Sequence, residues 1–223
     1  MTSSTAPQFD AGTYREGLRV SPAFQRNKQP ILEALQRRLP KPPPGATEPL
    51  LVLEAASGPG EHAAHWAAEF GPAYTFQPTE LDADALDSIR LYAQGLANVA
   101  PPLVLDTAAA AEQWPVEPAS CDAIVAINLC HIAPKEASRG LLRGAARALR
   151  PGGRLCVYGP FLIDGRPTSD SNAAFDASLQ ARDPSWGIRD VAALDSFGAP
   201  ALRRVGLDEM PANNFLAVWE RQP

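Results

Sequence analysis

The residues with the clearest chemical potential stand together at Glu54-Ala55-Ala56-Ser57-Gly58-Pro59-Gly60. Gly58 and Gly60 let the backbone turn sharply and approach a ligand with no Cβ in the way. Glu61 then opens a helix whose first N–H groups lack intrahelical partners and face the same space. On their own the glycines are ambiguous. Gly58-Pro59-Gly60-Glu61-His62-Ala63 also satisfies the dinucleotide fingerprint G-x-G-x-x-G/A. Glu80, placed to end a second strand, would accept hydrogen bonds from ribose hydroxyls with either kind of adenosine cofactor.

Three features separate the two chemistries. Glu54 precedes the glycines, where a carboxylate repels a pyrophosphate but accommodates the ammonium and sulfonium of S-adenosylmethionine. Asp106 ends a third apolar run, where an acid or its neighbouring N–H meets an adenine edge. The chain also closes with two consecutive strand-like runs instead of another strand–helix unit. A short-chain dehydrogenase would want a Tyr-x-x-x-Lys pair, yet Tyr158 is followed four residues later by Leu162, and the lysines are Lys28, Lys41 and Lys135. Methyl transfer is therefore favoured, with an NAD(P) oxidoreductase and a non-enzymatic scaffold as alternatives.

Methyl transfer from a sulfonium is an in-line displacement, so the main demand is to hold a nucleophile against the methyl carbon and exclude water. Where the acceptor carries a proton, His131 is the candidate general base, because it directly follows the fourth strand on the cofactor side. The alternative is a loop histidine capping the next helix. His62 and His65 lie three apart on the first helix of the core, but no cysteine or further histidine completes a metal site. A cofactor contact for His62 and packing for His65 are expected instead, with no metal.

The elements that must position these residues follow from the hydrophobic pattern. Residues 30–39 place Ile31, Leu32, Leu35 and Leu39 on one helical face, with Pro30 suited to a first turn. The spacer Pro40-Lys41-Pro42-Pro43-Pro44-Gly45 cannot continue that helix. Beyond it, strands are expected at 50–53, 74–77, 103–105, 121–127 and 154–158. Helices are expected between them at 61–70, 83–92 and 135–149, the last stopped by Arg150-Pro151-Gly152-Gly153. This alternation argues for a parallel sheet covered on both faces. After Tyr158 a polar stretch at 164–172 leads to short helices near 173–181 and 190–197. The runs 202–207 and 215–219 then read as an antiparallel hairpin. The expected organisation is one α/β domain over 1–223. It comprises a leader and helix to residue 45, a cofactor-binding core over 46–160, a lid or substrate wall over 161–200 and a hairpin over 201–223.

Asn172, Asp176, Arg182, Trp186 and Arg189 are the candidate acceptor contacts in the polar insertion. Equally, Arg182 and Arg189 would pair internally with Asp176, Asp183 or Asp190. On the N-terminal side Tyr14, Arg26 and Asn27 are placed to cover the ligands, while a helix cap also accounts for Asn27.

Composition narrows the partners. The chain has 223 residues and a formal charge of −5, with acids and bases interspersed, so it lacks the basic footprint of a nucleic-acid binder. A small-molecule methyl acceptor is expected. No run approaches the roughly 18 apolar residues that span a bilayer. The start, MTSSTAPQFDAG, has neither a basic nor an apolar signal region. A cytosolic location is expected, with monomer and homodimer both open. Cys121, Cys130 and Cys156 show no CxxC spacing and read as structural thiols.

Residues 52–60 resemble motif I of class I methyltransferases, and Leu149-Arg150-Pro151-Gly152-Gly153-Arg154-Leu155 resembles the turn before their fifth strand. The chain is more closely similar to the methyltransferase-like protein 26 family. That likeness is carried by Ser21-Pro22-Ala23-Phe24-Gln25-Arg26-Asn27-Lys28, Gly159-Pro160-Phe161, Ser171-Asn172-Ala173-Ala174-Phe175-Asp176, the segment 182–190 and Met210-Pro211-Ala212-Asn213-Asn214. The resemblance implies a Rossmann-like seven-stranded sheet, parallel except for the C-terminal hairpin, and S-adenosylmethionine as cofactor with S-adenosylhomocysteine as product. By motif position it implies that Glu54, Ser57, Gly58 and Gly60 line the methionine and ribose, and Ala56 and His62 are expected beside them as further cofactor contacts. Glu80 and Leu81 then meet the ribose side, Asp106 and Thr107 the adenine, and Asn128 the tip of strand four. Tyr158 joins Tyr14 and the insertion residues as an acceptor contact. Glu80 departs from the more usual aspartate at its position.

Overall fold

The computed structural model describes residues 17–223, and Tyr14 lies outside the described residues. The first helix, α1 (Phe24–Arg38), starts six residues before the position expected from apolar spacing, so Pro30 lies inside it. The early turn is polar in sequence, and only the burial of Phe24 and Asn27 reveals which face it presents. Asn27 is thus an interior helical residue and not a cap. At the other end of α1, Arg38 is ion-paired with Asp208, and Arg154 donates to the Arg38 carbonyl at 2.7 Å.

The chain continues through β1 (Leu50–Ala55), α2 (Glu61–Phe70), β2 (Tyr74–Glu80), α3 (Ala85–Tyr92), β3 (Leu103–Val104), β4 (Cys121–Ile127), α4 (Lys135–Ala148) and β5 (Leu149–Gly159). β3 is one residue shorter than expected. The segment Arg150-Pro151-Gly152-Gly153 does end α4, but it does so as the extended start of β5, where pairing with β4 shifts between Cys121 and Ala123.

The remainder consists of β6 (Phe161–Ile163), β7 (Arg166–Pro167), α5 (Asp170–Arg182), β8 (Arg189–Asp190), α6 (Val191–Gly198), β9 (Leu202–Met210) and β10 (Asn214–Arg221). α5 begins three residues earlier than the apolar pattern indicated, because the Ser169 side chain accepts from the Asn172 N–H and caps it. Asp190 caps α6 in the same way through the Ala192 N–H. A small second sheet, β7-β6-β8, was not expected, since strands of two or three residues carry no readable periodicity.

The main sheet has seven strands in the order β3-β2-β1-β4-β5-β10-β9. β1, β2, β3, β4 and β5 pair in parallel, whereas β10 runs antiparallel to both β5 and β9. Strand residues alternate between two buried faces. Leu53, Ile124, Leu155 and Trp219 pack on one side with Leu141 and Leu142 of α4. Val52, Val125, Cys156 and Val218 pack on the other with Ile31 and Leu35 of α1 and Trp66 of α2. Near-continuous apolar runs such as 121–127 follow from burial on both sides.

The chain winds outward from β1 to β2 and β3, then returns to place β4 on the other side of β1. That reversal opens a crevice at the carboxyl ends of β1 and β4, the usual ligand position in an open α/β sheet.

Candidate functional site

The crevice is a cavity of about 730 Å³ bounded by the tips of β1, β2 and β4, the loop after β3, and the first turns of α1 and α2. A more open groove of about 800 Å³ lies between α4, α6 and the loop 108–112, away from the switch point. Two strained backbone positions lie at the crevice. Ala56 and Asn128, at the tips of β1 and β4, both lie in the left-handed region at φ 57°, which is rare for residues other than glycine and clusters at functional sites.

Gly58 also has positive φ, and a Cβ built on it would meet nothing within 4 Å, so this face of the loop is open to a ligand. Gly60 does different work. A Cβ there would lie 2.8 Å from Ile89 Cα, so this glycine allows close packing of the loop on α3. The Gly58 N–H donates to Glu80 at 2.7 Å, and the Leu81 N–H donates to the other carboxylate oxygen at 2.8 Å. Glu80 is therefore oriented by the backbone before any ligand arrives. Asp106 accepts from the Ala108 N–H at 2.8 Å, and Thr107 is buried beside it. Gly140 of α4 admits the Thr107 carbonyl, which a Cβ would approach to 1.8 Å.

Glu54 is 1% exposed. Burial pushes its carboxyl up to about 8, against hydrogen bonds from Ser57 and the Ala63 N–H and with a further push from Glu80. Its Oε2 atom has no hydrogen-bond partner among the described residues, nor do the buried Asn27 Oδ1 and His62 Nδ1. Burial, with His65 nearby, pushes His62 down to about 3, so its imidazole is neutral. Glu61 is raised by burial, and its Oε2 takes the Ser21 N–H at 2.6 Å. Together with Arg19, whose N–H donates to Ser88 and whose guanidinium pairs with Asp82, this bond straps residues 19–21 over α2 and α3.

Of the residues expected from sequence, the structure brings Asn27, Glu54, Ala56, Ser57, Gly58, His62, Glu80, Leu81, Asp106, Thr107, Asn128 and Trp186 to one cavity wall. Arg26, Gly60 and Tyr158 do not line it; Tyr158 is buried in the core on the α1 side.

His131 is set back from the lining. Its ring lies beside Phe175, at 5.6 Å between centroids, in space left by Gly159. Burial, reinforced by Arg189 and Arg182, pushes it down to about 4.

The insertion residues divide by role. Asn172 is buried and donates to Thr168 and to the Asn213 carbonyl, joining α5 to the β9–β10 turn. Asp176 accepts the Ile188 N–H at 2.6 Å and the Gln180 amide at 2.8 Å. The internal carboxylate pairs expected for the two arginines do not form. Arg182 stacks on Trp186 at 5.5 Å, and Arg189 donates to the carbonyls of Cys130, Ala133 and Ser185. Main-chain oxygens at the end of the β4–α4 loop reach the Arg189 guanidinium where the aspartates do not.

Sequence reading missed Ser21, Ala23, Glu61, Leu129 and Ile132, which also line the cavity. The signal for Ser21 and Ala23 was the motif-like stretch around them. Ile132 and Leu81, at 45% and 59% exposed, are large apolar side chains left uncovered beside the cavity, and no sequence pattern announces that. Burial also removes the cysteines from consideration, with Cys156 pushed up to about 12.

The family model described as "Protein of unknown function (DUF938)" matches residues 18–221. The chain belongs to this family. Among solved structures, this DUF938 chain is similar to one in the complex between the Haloferax volcanii Trm112 methyltransferase activator and the putative methyltransferase. The identity is 15% and the TM-score 0.69, over 90% of this chain and 92% of that one. It is similar to human N-acetylserotonin methyltransferase in complex with SAM at 12% identity and TM-score 0.69, over 90% of this chain and 53% of that one. It is also similar to an O-methyltransferase family protein from Burkholderia thailandensis at 17% identity and TM-score 0.67, over 90% of this chain and 57% of that one. The chain spans little more than half the length of the last two. At these identities the likeness is one of fold, the Rossmann-like sheet of class I methyltransferases.

Proposed function

We propose that this chain is an S-adenosylmethionine-dependent methyltransferase acting on a small-molecule acceptor in the cytosol, with the methyltransferase-like protein 26 family as its finer placement. One observation carries the reading. Glu54, Glu61, Glu80 and Asp106 line the cavity, and no lysine or arginine does among the described residues. A dinucleotide would bring a pyrophosphate among these acids with no base to meet it, whereas a sulfonium and an ammonium are attracted to Glu80 and Asp106 and draw the raised Glu54 carboxyl toward its ionised form. The fold neighbours support the same choice.

The residues present fit that cofactor. Glu80, aimed by the Gly58 and Leu81 N–H groups, retains lone pairs for ribose hydroxyls. Asp106 and Thr107 stand where polar edges of a base are met, with the uncovered side chain of Leu81 in the same wall. Gly58, with open space where a Cβ would stand, leaves the backbone free to be approached by the cofactor. When bound, S-adenosylmethionine supplies an electrophilic methyl group and leaves as S-adenosylhomocysteine. The protein's own task is positioning. Asn128 and Trp186 border the space left for an acceptor, and the Arg182 guanidinium on the indole of Trp186 braces that wall. In-line placement at about 3 to 3.5 Å and exclusion of water are enough for large accelerations.

Calorimetric titration with S-adenosylmethionine, S-adenosylhomocysteine and NADH tests this. Binding of the first two with little heat from NADH is expected. Failure of both to bind refutes the proposal, and tight NADH binding would replace it with hydride transfer.

A further inference from the structure

We infer that the groove between α4, α6 and the loop 108–112 is a docking site for an acidic, extended segment of a partner protein, held by Arg139, Arg143 and Arg147. The inference is independent of the adenosylmethionine reading. The groove, of about 800 Å³, shares only Ala108 with the cofactor cavity. All three arginines belong to α4 and line it. They stand at i, i+4 and i+8, and Lys135 begins the same row one turn earlier. Like charges four residues apart lie one above another on a helix and weaken it. No acid offsets that cost, because none of the three arginines is ion-paired among the described residues. Their positions are nonetheless supported. The Arg139 guanidinium lies over the Phe197 ring at 5.2 Å, with the Lys135 ammonium over it at 5.7 Å, and Arg147 donates to the Val116 carbonyl at 2.9 Å. Arg143, between them, is exposed.

A row of guanidinium groups with no acid of its own calls for carboxylates or phosphates from outside. Its repeat is about 6 Å, the rise of four helical residues. Alternate side chains of an extended peptide lie on one face and repeat at about 6.7 Å. Three carboxylates at alternate positions therefore match the three arginines with a drift of only about 1.4 Å over the row. The rest of the lining suits a main chain. Ala109, Ala110, Ala199 and Ala201 border the groove, so short side chains between the acids meet no bulk. The acids Glu112 and Glu136 line it as well. A nucleic acid would have to carry a phosphate past them at every nucleotide, and Phe197, the aromatic ring in the lining, is already engaged by Lys135 and Arg139 instead of being free to stack on a base. A peptide carries its charges only where the arginines stand.

The test titrates the full chain with the blocked peptide acetyl-Glu-Ala-Glu-Ala-Glu-amide and follows backbone amide shifts by NMR. Saturable shifts are expected at 108–112, 139–147 and 196–201, weakening as salt is raised. The counterpart with glutamine in place of each glutamate should leave these amides unmoved. Arg139→Gln combined with Arg143→Gln should weaken the acidic peptide at least about fivefold, while Arg166→Gln, exposed on β7, should stay within about twofold of the parent. Unchanged amide positions outside the groove report an intact fold in each variant. Four results overturn the proposal: no saturable shifts at the groove, an equal response to the glutamine peptide, unchanged affinity in the double variant, or an equal loss in Arg166→Gln, which would reduce the effect to net charge. Groove shifts produced by oligouridylate and not by the acidic peptide overturn it in favour of a nucleic acid.

Discussion

Replacing Glu54 with glutamine should separate what this carboxyl costs the fold from what it does for a ligand. Burial raises it from an ordinary value of 4.5 to about 8, so near pH 7 the folded chain retains a proton that the unfolded chain has lost. At about 1.4 kcal/mol per pH unit, this withholds up to about 3 kcal/mol of stability at pH 7. The sign follows from a raised carboxyl pKa. The penalty is absent below 4.5, grows as pH rises, and is complete above about 8. Glutamine keeps the shape, titrates in neither state and still accepts from Ser57 and the Ala63 N–H. Glu54→Gln should therefore melt roughly 6 to 12 °C above the parent at about pH 7 and lose that advantage toward about pH 4.5. The same variant should bind S-adenosylhomocysteine at least about tenfold more weakly, because an amide N–H replaces an acceptor. Scanning calorimetry across pH, paired with binding titrations, reads both effects. A stability difference that is the same at about pH 5 and about pH 8.5, or that favours the parent at the higher pH, refutes the reasoning.

Three further outcomes follow from the geometry. Gly58→Val places a branched side chain in open space at positive φ; it should cost about 1 to 2 kcal/mol of stability and abolish cofactor binding, and unchanged affinity would show that the loop is not the site. Arg189→Met removes three hydrogen bonds to main-chain carbonyls, so amide exchange at 129–134 and 185–188 should accelerate, and identical protection in parent and variant would count against a bracing role. Buried His131 should stay neutral down to about pH 4, so that acid weakens the fold as pH falls from 6.5 to that value; an imidazole NMR titration centred near 6.5 would contradict its burial.

The sheet was legible because its strands bury both faces, so 50–53 and 121–127 read as near-continuous apolar runs, and the closing hairpin followed from two strands with no helix between them. The loop at 54–60 was legible because glycine spacing reports backbone demands directly. The start of α1 was not, since the buried Asn27 and the apolar Phe24 sit among polar residues and no period marks their face. Gly58 and Gly60 look equivalent in sequence, yet one faces open space at the cavity and the other faces Ile89, a difference made by the return of α3. In the insertion the two helices were legible, but not the small sheet beside them or the bonding that holds it. Carbonyl partners for Arg189 depend on where the chain after β4 turns, which side-chain types do not encode.

The mounting of α1 bears on affinity. Its apolar face is sunk into the core, and Arg38 at its far end is held by Asp208 on β9 and by Arg154 on β5. Asn27 is thus brought to the cavity wall by a lever already clamped in place, so its ordering entropy is lost on folding and not on association. Substitutions at Asp208 or Arg154, on the C-terminal side of the sheet, would loosen that lever and should show up first as faster ligand dissociation.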